Sequence, residues 1–293
     1  MPGNGMTIPA ATMRPSVSPQ SEHTDGWQAM LELSLQKING KTCLLPQQRL
    51  GPLTVQRPFY PEGDVCHVYV LHPPGGVVGG DRLKLAINAR PGSHGLITTP
   101  GASKFYRSAG NTAQLHQHFN VAEDAMLEFL PLESIYYPAT ELSSKISVSL
   151  HATAKFAAWE IHCFGLPVNN EDFTAGNVLL NTEVTVDGRL LLHDKLKIDS
   201  FELGRASGLR GNSVYGSFVV YSQMISATLL ETLRSVQAER GIAGVSCVEP
   251  GLLVARYLGD STEHAQNYFR KLWQILRPAA LGLDACAPRI WNT

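Results

Sequence analysis

Apolar and polar residues alternate along most of this chain, from Trp27 to about residue 227. Leu83, Leu85, Ile87 and Ala89 alternate with Arg82, Lys84, Ala86 and Asn88. Ala113, Leu115, Gln117, Phe119 and Val121 alternate with Thr112, Gln114, His116, His118 and Asn120, and Ile146, Val148 and Leu150 with Lys145, Ser147, Ser149 and His151. A period of two sends successive side chains to opposite faces, so each segment reads as a half-buried strand. Asp187-Gly188, between EVTV and RLLLHDKLKI, is a two-residue hairpin signal.

A weaker, longer period is superimposed on this. Segments beginning at Ala89, Asn120 and Leu150 each run strand end, short polar turn, new apolar strand, and their starts lie 31 and 30 residues apart. A constant spacing fits stacked coils that bury a face against each neighbour. Evenly spaced hairpins fit it equally well. Helical periodicity comes late. Residues 228–240 predict a short helix stopped by Gly241, and residues 261–277 a stronger one. In the latter, Asp260 stands as N-cap with Glu263 three positions on, Ala265, Tyr268, Phe269, Leu272, Ile275 and Leu276 form one stripe, and Pro278 ends the run. The expected architecture is mainly β with two helices in the C-terminal part: one domain over 27–293, after a disordered leader over 1–26.

Composition narrows the functional classes. With 293 residues and 44% hydrophobic content the chain can bury a substantial core. A net charge of −1 lacks the basic footprint of a nucleic-acid binder. No segment offers the roughly 18 apolar residues of a spanning helix, and the N-terminus lacks the apolar core of a secretory signal, so a cytoplasmic protein without membrane contact is expected. Cys43, Cys66, Cys163, Cys247 and Cys286 are scattered and odd in number, with no C-x-x-C, which predicts free thiols.

The densest local chemistry lies in LHPPGGVVGGDRLKLAINARPGSHGLITTPGASKFYRS, residues 71–108. Gly75-Gly76 and Gly79-Gly80 flank Val77-Val78, and Asp81 closes the run. This is no nucleotide cradle, since a P-loop needs G-x-x-x-x-G-K-[ST] leading into a helix, and Asp81 would repel phosphates. Tight turns or bulges are the structural reading. His116 and His118 share one strand face and form either a solvated surface or two ligands in search of a third. Glu160 and His162 share a face within FAAWEIHCF, as a surface pair or as a polar lining inside an apolar body. Glu128 and Glu133 sit among apolar neighbours with no fixed relative direction. A hydrolase or lyase built on Glu128, Glu133 or Glu160 would need two carboxylates about 5–10 Å apart across a groove. No nucleophile–base motif is present.

Six blocks in order, HPPGGVVGGD (72–81), TTPGASKFYRS (98–108), LEFLPLESIYY (127–137), WEIHCFGLP (159–167), GLLVARYLGD (251–260) and PRIWNT (288–293), resemble the urease accessory proteins called UreD or UreH. The resemblance implies a solenoid-like stack of β-sheets with two helices. It also implies a non-enzymatic scaffold that binds apo-urease and UreF, which in turn binds the GTPase UreG, and that promotes nickel incorporation into the urease metallocentre. A transient passage of Ni²⁺ along an internal polar path follows from it, with no permanently bound cofactor and no nucleotide on this chain. On that basis Asp81 and Glu160, then Glu128, Glu133 and His162, are expected to line the path. Phe105, Tyr106, Ile290 and Trp291 are the expected partner-contact residues.

Overall fold

Two β-sheets lie face to face, and between Cys66 and Val186 the chain crosses repeatedly from one to the other. The structure, a computed structural model, describes residues 26–292; of the expected leader over 1–26, all but Gly26 lies outside the described residues. The first sheet orders Arg189–Asp199, Gly176–Val186, Thr140–Leu150, Ala113–Val121, Arg82–Ala89, Gln28–Ile38 and Lys41–Leu44. The second orders Ile242–Glu249, Leu252–Gly259, Val214–Tyr221, Lys155–Leu166, Met126–Phe129, His94–Thr98, Cys66–Leu71 and Thr54–Val55. Within the stack the neighbours are parallel and come from successive turns of the chain, which makes the body solenoid-like rather than a meander of hairpins.

In-register parallel pairing turns the alternation into transverse rows. Leu33, Ile87, Phe119, Val148 and Val184 stand side by side on five strands of the first sheet, all turned inward and almost fully buried. The repeat predicted from Ala89, Asn120 and Leu150 is real but one residue out of phase. Ala89 pairs with Val121 and Val121 with Leu150, starts 32 and 29 residues apart. The unequal steps come from turns of different length, which the register absorbs. At Asp187-Gly188 both residues have positive φ, 46° and 79°, and join two antiparallel strands as a tight hairpin.

The second sheet is covered on its outer side by helices, so the molecule has three layers and two cores. One core fills the space between the sheets; the other joins Trp159, Ile161, Phe218 and Ala255 to the helices. Among the described residues three α-helices occur, α1 (Ser200–Gly204), α2 (Ala227–Ser235) and α3 (Thr262–Leu276). The single turn of α1, capped by the Asp199 carboxylate, is too short to leave a periodic trace. The predicted helix over 228–240 stops early, because Val236 is already extended. The N-cap of α3 is Ser261, whose hydroxyl accepts from the His264 N–H, rather than Asp260. After Leu276 the backbone widens into a π-turn over Arg277–Leu281 that closes at Gly282, φ 85°.

Candidate functional site

Strand parity decides what Glu160 faces. On Lys155–Leu166, Trp159, Ile161 and Cys163 point to the helices, while Phe156, Ala158, Glu160 and Phe164 point between the sheets. A cavity of about 270 Å³ lies there, and Glu160 sits on its wall. The remaining wall is mainly apolar, from Leu83, Leu85, Leu115, Phe105 and Phe129. It opens to solvent between two loops, His72 to Val77 and Thr99 to Lys104, where Pro73, Gly75, Gly101, Ser103 and Lys104 are exposed.

The two glycine-rich loops pack on each other at this mouth. Val77 donates to the Lys104 carbonyl at 2.8 Å and accepts from Tyr106 N–H at 2.8 Å. A Cβ on Gly76 would stand 2.2 Å from the Tyr106 ring, and one on Gly79 would stand 2.6 Å from the Asn111 carbonyl oxygen and 2.1 Å from the Ser108 hydroxyl. The glycines are there for close approach. Gly79→Ala is expected to lower the unfolding free energy by about 1–3 kcal/mol, because a backbone oxygen must shift; urea denaturation followed by circular dichroism measures it, and an unchanged midpoint counts against this packing.

Glu160 also borders a second, smaller space of about 10 Å³, room for about one water molecule, shared with His162, Thr182, Asp194, Tyr215 and Ser217. The register explains the cluster. Glu160, Ser217 and Arg256 are side by side on three adjacent strands of the second sheet. Thr182 and Asp194 are paired on the facing sheet. These five form a polar row across a mainly apolar interior. Thr182 Oγ1 donates to Glu160 Oε2 at 3.3 Å. Arg256 Nη1 meets Asp194 Oδ2 at 2.7 Å, Ser217 Oγ at 2.7 Å and the Tyr215 hydroxyl at 2.5 Å.

Burial governs the titration of this row. Desolvation raises Glu160 to about 7, and the nearby Asp194 charge adds to it; Thr182 and Arg256 oppose. About 20% of its side chain stays accessible, toward the cavities it borders. Burial alone lowers His162 to about 3 and keeps it neutral. Burial holds Tyr136 protonated, and its hydroxyl shares a hydrogen bond with His162 Nδ1 at 2.7 Å. The other ring nitrogen, Nε2, lies 3.8 Å from Glu160 Oε1.

The two shifts have opposite consequences for stability. Glu160, raised in the folded state, contributes stability below its ordinary value of 4.5 that is lost as pH rises through about 7. His162, lowered in the folded state, contributes stability above its ordinary value of 6.5 that is lost as pH falls toward 3. In the native chain the slopes oppose each other between 4.5 and 6.5. Glu160→Gln removes one of them, so its stability relative to the native chain is expected to rise from about pH 4.5 to 7 by about 1–3 kcal/mol. Denaturant titrations across that range test it; a flat difference rules out a carboxylate desolvated in this way.

A profile of the UreD urease accessory protein family matches residues 28–292, every strand and helix just described. The chain belongs to that family. It is 43% identical over 274 residues to the urease accessory protein UreD of Pseudomonas putida (strain W619), covering 94% of this chain and 97% of the relative. The corresponding protein of Aliivibrio fischeri (strain ES114) is 42% identical over 283 residues, 92% of this chain and 98% of its own. That of Alcanivorax borkumensis is 42% identical over 293 residues, 97% and 98%.

In this UreD-family fold the five residues expected to line a path divide into three places. Glu160 and His162 meet at the small inner space. Asp81 is not on the cavity wall: its Oδ1 accepts from Trp27 N–H at 2.8 Å and Oδ2 from Val78 N–H at 2.9 Å, which ties the glycine loop to the first strand. Glu128 and Glu133 point the other way, into the helix layer. Glu128 is fully buried and lies 3.2 Å from Arg277 Nε, 2.7 Å from Trp273 Nε1 and 2.9 Å from His94 Nε2. Glu133 accepts from Gln266 of α3. Glu128, Glu133 and Glu160 therefore do not converge, and the paired-carboxylate arrangement is not assembled from them.

The aromatic residues expected at partner contacts are mostly inside. Phe105 is 2% exposed and stacks on Tyr136 at 5.1 Å. Trp291 is 7% exposed, its ring 5.1 Å from Trp159 and 5.3 Å from Trp273, and Ile290 packs beside it. The C-terminal tail thus completes this chain's own core, which corrects the expectation of an exposed apolar anchor. Tyr106 remains half-buried at the cavity mouth against Tyr137. His116 and His118 are exposed, and among the described residues no three His, Cys, Asp or Glu side chains form a metal-binding group.

Sequence reading missed Ser217, Arg256, Thr182 and Asp194. Each looks like an ordinary polar position of an alternating strand, and only the register across two sheets brings them to Glu160. The five cysteines are free, as expected. No helix among the described residues is long and apolar enough to cross a membrane.

Proposed function

We propose that this chain is a non-catalytic urease maturation factor. It binds apo-urease and, with UreF and the GTPase UreG held through UreF, promotes nickel incorporation into the urease metallocentre. Ni²⁺ passes through it as cargo, entering the cavity between the sheets at the two glycine-rich loops and moving past Glu160. The chain works in the cytoplasm, carries no resident cofactor, and leaves nucleotide chemistry to its GTPase partner.

The observation that supports a passage is the cavity itself, open at one end and lined at its inner end by a carboxylate. Carboxylate and hydroxyl oxygens with one neutral imidazole give a divalent cation enough attraction to enter. They are too few to hold it as a structural site would. The membership of the UreD family supports the urease side of the reading.

The test is urease activity and nickel content in cells that express urease and its accessory proteins, with and without this chain. Both are expected to fall to background without it and to return when it is supplied. Equal nickel loading in its absence would end the proposal.

A further inference from the structure

The polar row does not stop at Glu160. It runs on through Ser217 to Arg256, one strand in from the edge of the second sheet, and through Thr182 to Asp194 on the last strand of the first. At that end the side chains of Arg256 and Asp194 are 35% and 30% accessible, so the row reaches solvent. Between them Arg256 and Asp194 close it. The guanidinium occupies the Asp194 carboxylate at 2.7 Å and is steadied by Ser217 and Tyr215.

We propose that the Arg256–Asp194 ion pair is the gate of the cation path, with Arg256 acting as a tethered counter-ion that a cargo cation must displace from Asp194 to pass beyond Glu160. This rests on the passage reading above and adds to it where the path ends and what holds it shut. The geometry carries the proposal in three steps. Among the described residues Glu160 is the one that borders both the large cavity and the small one. Asp194 lines the small space opposite it. Arg256 is the cation already paired with Asp194.

A guanidinium is a suitable occupant for a gate. It keeps its charge at any physiological pH and pairs with a carboxylate in a fixed geometry, yet on a partly exposed pair the attraction is small enough to be exchanged. A divalent cation arriving at Glu160 brings twice the charge to Asp194. Arg256 can then swing to solvent without leaving a buried charge behind. Arg256 is thus a selecting and positioning residue for the transport step.

The experiment compares native chain, Arg256→Gln, Arg256→Lys, Tyr215→Phe and Glu160→Gln in cells expressing urease with all its accessory proteins. Urease nickel content is read over a series of external Ni²⁺ concentrations. Removing the competing cation in Arg256→Gln is expected to shift half-maximal loading to about three- to tenfold lower Ni²⁺. Arg256→Lys, which keeps the charge, should stay near native. Tyr215→Phe, which loosens Arg256 without removing charge, should shift in the same direction as Arg256→Gln by less.

A merely structural tie predicts something else: lower loading at saturation in proportion to the loss of folded chain, with no shift in Ni²⁺ dependence. That result, or an unshifted curve with normal amounts of soluble chain, overturns the gate. If Arg256→Gln fails to fold, Tyr215→Phe decides, since an unshifted curve there overturns it as well. Glu160→Gln separates the two readings. If it blocks loading while Arg256→Gln and Tyr215→Phe leave the curve unmoved, the passage survives and the gate does not. If it has no effect at any concentration, the passage itself fails.

Discussion

Arg277→Met is expected to lower the unfolding free energy of this chain by about 3–5 kcal/mol, the usual cost of removing one partner from a buried ionic cluster. Arg277 is fully buried at the end of α3 and bridges two carboxylates from distant parts of the chain. Its Nη1 and Nη2 lie 2.6 and 2.7 Å from the Glu62 oxygens, and its Nε lies 3.2 Å from each oxygen of Glu128. Without the guanidinium the two carboxylates face each other with only His67, His94 and the Trp273 N–H for company. For a domain of this size the melting temperature should fall by roughly 6–20 °C. Adding Glu128→Gln to Arg277→Met removes one of the stranded charges and should restore part of the loss.

The same cluster sets an acid limb. Burial works against the charged form of Glu128, yet His94, Arg277 and Trp273 overcome it and hold its carboxyl at about 2. A depressed carboxylate contributes stability above its ordinary value of 4.5, and that stability is lost as pH falls toward 2. Arg277→Met should therefore cost most at neutral pH and progressively less below 4.5. Thermal unfolding by circular dichroism at pH 7 and pH 4 measures both. A native melting temperature in Arg277→Met would mean that the cluster is energetically idle.

On the proposed passage, Glu160→Gln is expected to give urease with about tenfold less nickel at limiting Ni²⁺, with the amount of soluble chain and its association with urease unchanged. The amide keeps the shape and the hydrogen bond from Thr182 but removes the one carboxylate shared by both cavities. At an effective dielectric near 20 a carboxylate attracts a nearby divalent cation by several kcal/mol, so a tenfold change asks for only a fraction of it. Glu160→Asp retains charge and should keep more loading than Glu160→Gln. Metal analysis of the purified urease is the measurement. Equal nickel in native and Glu160→Gln cells would show that the cation does not travel past this residue.

Asp81 and Glu160 show how far local pattern reaches. Both are carboxylates in recognisable blocks, and nothing local distinguishes them. Asp81 proves to be a turn residue because two backbone N–H groups converge on it, one of them from Trp27, 54 residues away. Glu160 faces the cavity between the sheets because Lys155–Leu166 presents it with that parity toward the first sheet. Trp291 makes the same point at the other end of the chain. An apolar residue near a terminus fits either a partner's surface or the chain's own core, and only the position of Trp159 and Trp273 decides for the core.

The sequence by itself determined the strand-rich character, the inward faces of Arg82–Ala89, Ala113–Val121 and Thr140–Leu150, the tight turn at Asp187-Gly188, and the presence of α2 and α3. It also carried the family, through blocks such as the paired glycines that pack under Tyr106 and Ser108. These are local matters: a period of two, a period of 3.6, and a backbone conformation or close approach that few residues allow. The tertiary structure alone decided which carboxylates share a space. Ser217 and, one strand further, Arg256 align with Glu160 in register from 57 and 96 residues away, Asp194 faces it from the other sheet, and Glu128 meets Arg277 across 149 residues because it points to the opposite layer. Whether a charge is desolvated, paired or lining a cavity depends on what stands across from it, and here that neighbour is set by the antiparallel registers at the end of the two sheets for Glu160 and by the layer it faces for Glu128.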